Sequence, residues 1–144
     1  MPLKVYIEEF IRYTFILLFY YAAVTKLLEH PKFYNDLLNS PVFEYKRIAG
    51  LMSWFIPILE LTIAGCLIST VYRWLGMYLA FGSMVLFTVY ISGILLFSEN
   101  IPCSCGGIIS NFTWQEHLIF NMCFLLLGLL GVYLQQKRYT SKYT

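Results

Sequence analysis

Cys103 and Cys105 stand one residue apart in the stretch SENIPCSCGGIISNFTWQEH, which runs from Ser98 to His117. Two thiols at this spacing can close a disulfide, because a bend brings their Cα atoms within the usual window of about 4.4–6.8 Å. The ring is small and strained. Strain raises the reduction potential and places such a bond among the labile, exchangeable disulfides. Pro102 and the Gly106-Gly107 pair shape a turn that leaves the sulfurs accessible. Downstream, Thr113-Trp-Gln-Glu116 fits a capping box, so a helix starts there and its N-terminal dipole favours a nearby thiolate. His117, in the first turn, can accept or deliver a proton, and Glu116 beside it is a second candidate for that task. The same residues also admit a structural disulfide, a metal clip or idle thiols. A structural zinc site takes four ligands, whereas Cys103, Cys105 and His117 supply three and Glu116 faces elsewhere, so no metal is assigned. Cys66 and Cys123 lie inside apolar runs at different depths and read as packing residues.

A second signal is charge within apolar sequence. Glu60 lies in WFIPILELTIAG, three residues after Pro57. A carboxylate there is costly unless it is paired or neutral, which makes it a functional candidate. Lys26, near the end of the first apolar segment, is its natural partner, because its long side chain can reach inward. The alternative role for the pair is to fix helix packing. Pro57 frees the carbonyl of Ser53 and kinks its helix.

These residues need a scaffold, and composition indicates which. Of 144 residues, 59% are hydrophobic and only 12% charged, against about 25% charged in soluble domains. The net charge of +2 is scattered, so nucleic-acid binding is not expected. Four segments reach the length of roughly 20 residues that a bilayer requires, at about 10–28, 51–72, 74–97 and 114–134. No small-residue cleavage site follows the first, which therefore reads as a span rather than a signal peptide. Arg73 marks a tight turn between the second and third. Between the first and second, Phe33, Tyr34, Leu37 and Leu38 recur at helical spacing among polar residues, with Pro31 suited to a first turn and Pro41 to a stop. The expected fold is an all-α membrane protein: one domain, a four-transmembrane-helix bundle with a short interfacial amphipathic helix after the first span and a polar, fraying tail at 135–144.

Four spans put both termini and Arg73 on one side, with Lys4, Arg12, Lys137, Arg138 and Lys142. The opposite side holds Lys26, Lys32, Lys46 and Arg47, all in the first loop. The positive-inside rule favours cytoplasmic termini, which sets the cysteine loop on the oxidising, periplasmic face of a bacterial inner membrane.

Lys26-Leu27, the Phe33 helix, Pro57-x-x-Glu60-Leu61 with Gly65, and Cys103-Ser-Cys105-Gly-Gly together resemble the methylamine-utilisation MauE family within the DoxX-like membrane proteins. The resemblance spans nearly the whole chain. It implies support of disulfide formation or thiol redox balance in periplasmic partner proteins. The four-helix cores of DsbB and vitamin K epoxide reductase are also similar, but those enzymes use a C-x-x-C pair, a quinone and a further loop cysteine pair. This chain has C-x-C and no cysteine in its first loop. A quinone therefore stays open as a cofactor and none is assigned. The leading expectation is a thiol-disulfide redox protein whose Cys103–Cys105 pair exchanges electrons with a periplasmic thioredoxin-like or substrate protein. The alternative is a non-catalytic accessory subunit of a larger membrane complex, with a structural Cys103–Cys105 bond.

Overall fold

All four apolar segments fold as helices long and apolar enough to cross a membrane, and the amphipathic stretch forms a fifth, shorter helix. The structure is a computed structural model and describes residues 2–40, 43, 45–97 and 114–143. The helices are α1 (Pro2–Leu28), α2 (His30–Leu38), α3 (Lys46–Ile68), α4 (Arg73–Phe97) and α5 (Trp114–Tyr143). Both α1 and α4 pack against α3 and α5, so the long helices close a ring. Arg12 meets Leu67 while Lys26 meets Glu60, so α1 and α3 run antiparallel. A Cβ on Gly131 would touch Ile11 and Met77, and one on Gly128 would touch Phe15 and Phe81. Those pairings make α5 antiparallel to both α1 and α4. The expected all-α, four-span bundle is what forms.

Its polarity is inverted relative to a soluble domain. Leu17, Leu51, Phe55, Ile58, Leu86, Val89, Leu126 and Leu129 face outward, while Ser53, Glu60, Thr88 and Asn121 are buried. A surface of large apolar side chains over a partly polar interior suits hydrocarbon as the surrounding solvent. Hydroxyls within the helices return to the backbone, as in Thr25 Oγ1 to Tyr21 O at 3.0 Å and Thr88 Oγ1 to Met84 O at 2.7 Å. The chain is a multi-pass membrane protein.

In α1 the buried seam follows an i, i+4 rhythm: Ile11, Phe15, Phe19, Ala23. Phe15 stacks on Phe19 and meets Phe124 of α5 edge-on, at centroid distances of 6.1 and 5.6 Å. The facing surfaces of α3 and α4 use smaller residues, including Ala64, Gly76 and Ala80, which let backbones approach. The turn between them begins at Ser69, whose backbone is extended (φ −65°, ψ 134°). Its Oγ accepts the N–H of Val71 at 3.3 Å and of Tyr72 at 3.4 Å. Hydropathy continues to Tyr72, but α3 ends at Ile68 because this hydroxyl offers the next amides an alternative to the helix.

The α2 helix begins with Pro31 in its first turn and lays Phe33 and Leu37 against Ala49 of α3. Tyr90 Oη donates to Ser40 Oγ at 2.7 Å and ties α4 to the segment after α2. At the opposite end of the bundle, charges from several helices meet. Arg12 pairs with Glu9 and donates to Leu67 O at 3.5 Å. Arg73 lies 3.7 Å from Glu9, and Arg138 lies 3.4 Å from the buried Glu8. The α5 helix continues through Gln135–Tyr143, a stretch that composition reads as a fraying tail and that opens with the good helix formers Gln135, Gln136, Lys137 and Arg138.

Close approach at the α3–α4 turn gives a direct test. A Cβ on Gly76 would stand 2.8 Å from Leu67 N and 3.0 Å from Cys66 C, whereas one on Gly82 would meet nothing within 4 Å. Gly76→Val is expected to cost about 1–3 kcal/mol through overpacking. Thermal unfolding in detergent should show a lowered midpoint for Gly76→Val and none for Gly82→Ala.

Candidate functional site

Lys26, in the last turn of α1, donates to Glu60 Oε1 on α3 at 2.7 Å. Both side chains are nearly sequestered, at 11% and 2% exposure. The pairing expected from sequence is therefore made. The ammonium also lies 5.7 Å from the Phe33 ring centroid, within range of a cation–π attraction from α2. Three helices thus converge on one positive charge. The second carboxylate oxygen, Glu60 Oε2, is buried and accepts no hydrogen bond from any described residue.

Pro57 sits inside α3, one turn before Glu60. Its missing N–H leaves the Ser53 carbonyl without its helical donor. The Ser53 hydroxyl gives its single hydrogen to Gly50 O at 2.7 Å. His30 Nε2, 3.1 Å from that same Oγ, is then the donor in their contact, which fixes a proton on Nε2. The imidazole also packs on Trp54, with centroids 4.3 Å apart. The corner between α1 and α2 is thereby pinned to the proline-containing part of α3.

A cavity of about 310 Å³ opens among these elements. Its polar wall residues are Lys26, Asp36, Glu60, Tyr90, His117 and Asn121, and the rest of the wall is apolar. His117 and Asn121 are buried and one turn apart on α5. The sequence associates His117 with the cysteine loop, whereas the fold also puts it on the wall shared with Lys26 and Glu60. Glu116 is exposed on the other side of the same turn. Cys103 and Cys105, with Thr113 of the expected capping box and Pro41, lie outside the described residues. Cys66 is half-buried and Cys123 exposed on the bundle's outer face.

Asp36, Tyr90 and Asn121 carry no motif, which is why sequence reasoning passed over them. Asn121 had a usable signal, since it lies four residues after His117 in an otherwise apolar run. Asp36 follows Phe33 at i+3 on the face that α2 turns toward the bundle. Burial pushes its carboxyl up to about 6, against the opposing pull of Lys32 and with a further push from Glu29.

A polytopic helical bundle with a buried interhelical ion pair beside an apolar cavity is the class that fold and site define. Within that class, the family description for methylamine utilisation protein MauE matches residues 4–134, and the chain belongs to the MauE family. No curated protein and no solved structure matches it.

The ion pair makes a quantitative prediction. Removing one partner strands a buried charge, so Lys26→Met or Glu60→Leu alone should destabilise by about 3–5 kcal/mol. The Lys26→Met/Glu60→Leu double variant should recover most of that loss. A double-mutant cycle on denaturant unfolding in detergent measures the coupling. Asp36 predicts a pH dependence of definite sign. Its raised value means that the folded state favours the neutral carboxyl, so the contribution is full below the ordinary 3.8 and is lost as pH rises through about 6. Asp36→Asn should flatten the unfolding profile across that window, with the gain over the parent appearing on the alkaline side.

Proposed function

We propose that this MauE-family membrane protein is a thiol-disulfide redox protein, whose Cys103–Cys105 pair exchanges electrons with a periplasmic thioredoxin-like or substrate protein. The observation that carries this reading is the position of the pair in the chain. Both thiols lie in the connection between Phe97, where α4 ends, and Trp114, where α5 begins. Antiparallel packing puts the end of α4 and the start of α5 at the same end of the bundle as the α1–α2 corner. The protein sits in the inner membrane with its termini in the cytoplasm, and the thiol pair faces the oxidising side.

The exchange balances without a further reagent. One thiolate attacks the partner's disulfide, forming a mixed disulfide and releasing one partner thiolate. The second cysteine then attacks the mixed bond, closes Cys103–Cys105 and releases the partner as a dithiol. The reverse sequence oxidises the partner, and the relative potentials decide the direction. Glu116 and His117, in the first turn of α5, are the groups assigned to proton handling at the thiols. Glu116 is exposed, which suits transfer to water.

Single-cysteine variants distinguish this from the accessory-subunit reading. Cys103→Ser or Cys105→Ser should accumulate a mixed disulfide with a periplasmic protein, visible on non-reducing gels and absent from the double variant. If neither captures a partner, and cells carrying either one keep full disulfide formation, the redox reading is lost. A Cys103–Cys105 bond that resists mild reductant, with only stability lost on substitution, would instead mark an accessory subunit with a structural clamp.

A further inference from the structure

Glu60 and Asp36 line the 310 Å³ cavity, and one oxygen of each, Glu60 Oε2 and Asp36 Oδ2, is buried and accepts no hydrogen bond among the described residues. Glu60 is only 1% exposed. A buried acceptor left without a donor is costly, so the cavity calls for an occupant that brings one. Water is a poor candidate for most of the volume, because a wall this apolar gives it too few partners. The occupant therefore combines an apolar body with a hydrogen-bond donor at its head.

Charge narrows the donor. Lys26 already neutralises Glu60, burial holds Asp36 toward its neutral form, and a cationic head on Glu60 would set a second positive charge beside the Lys26 ammonium. A neutral hydroxyl brings a proton without that repulsion. The wall narrows the body: Phe19, Phe33, Phe55, Phe87 and Phe120 offer ring faces and edges suited to a flat molecule. The volume falls in the range of small-molecule pockets. Entry is lateral, because Phe55 and Leu86 line the cavity and are also 52% and 68% exposed on the outer, apolar face.

We infer that this cavity binds a flat, lipid-soluble hydroxyarene, the class to which quinols belong, with its O–H donated to Glu60 Oε2 and its ring held by the phenylalanine wall. The inference is independent of the thiol pair, since it uses none of that loop's residues. It also distinguishes oxidation states, because a quinone presents only carbonyls and leaves Glu60 Oε2 without a donor.

The test titrates the full chain in lipid nanodiscs with 1-naphthol, naphthalene and 1,4-naphthoquinone, using calorimetry and empty nanodiscs as the blank. 1-Naphthol should saturate at one molecule per chain, with naphthalene and 1,4-naphthoquinone at least about tenfold weaker. Ala22→Phe, which adds a ring to the cavity wall, should weaken 1-naphthol binding at least tenfold. Uptake of 1-naphthol that only follows partitioning into empty nanodiscs overturns the inference. Equal affinity for all three compounds, or an unchanged affinity in folded Ala22→Phe, does so as well. If Ala22→Phe fails to fold, the ranking of the three compounds on the unsubstituted chain decides alone.

Discussion

The contact between Lys26 and Glu60 is the interaction on which the rest of this bundle is arranged. In hydrocarbon neither charge can turn to water, so each must face inward and find the other. That single requirement fixes the rotation of α1 and α3 about their axes. It also sets their register, because the 2.7 Å contact allows little sliding. With the ammonium held there, α2 folds over it and presents Phe33 as a third partner. The rest of the bundle accommodates that choice. Leu17, Leu51 and Ile58 are left for the lipid face, and Phe15, Phe19 and Ile63 for the core.

A buried ion pair is weak evidence for stability, because desolvating both charges offsets much of their attraction. Its effect here is better described as specificity. Apolar side chains would pack α1 against α3 in more than one rotation, since lipid and core are equally greasy. The polar contacts remove that degeneracy. His30 and Ser53 do the same at the α1–α2 corner, and Tyr90 with Ser40 does it between α4 and the segment after α2. At the far end, Glu8 and Glu9 engage Arg138 and Arg73 from α5 and α4.

Much of this was legible in the sequence because the signals are local. Span length, the tight Arg73 turn, Pro31 at the start of α2 and the reach of Lys26 to Glu60 all depend on residues that are near neighbours or on unfavourable burial. The cavity was not legible. It needs Asp36, Tyr90, His117 and Asn121 on one wall, and they come from three helices whose mutual rotation no single segment encodes. His117 shows the limit well. Its neighbours in sequence tie it to the cysteine loop, whereas its neighbours in space are the ion pair's. Helix ends were also blurred, since hydropathy cannot register that the Ser69 hydroxyl competes for the amides of the turn.

The two ends of the bundle are built for different mechanical behaviour. Near the Arg73 turn, Gly76, Gly128 and Gly131 bring backbone close to neighbouring helices, and no side chain larger than hydrogen fits at Gly76. Salt bridges from α1 to α4 and α5 close over that contact. Toward His117 and Lys26 the cavity opens between the helices, lined by Phe19, Phe33, Phe87 and Phe120 with Leu18, Leu37 and Leu59. Pro57 interrupts α3 on that side, where one fewer backbone hydrogen bond resists bending. Bending of α3 is therefore least resisted beside the cavity. Lys26 limits it, because any opening that separates the charges must first break the pair.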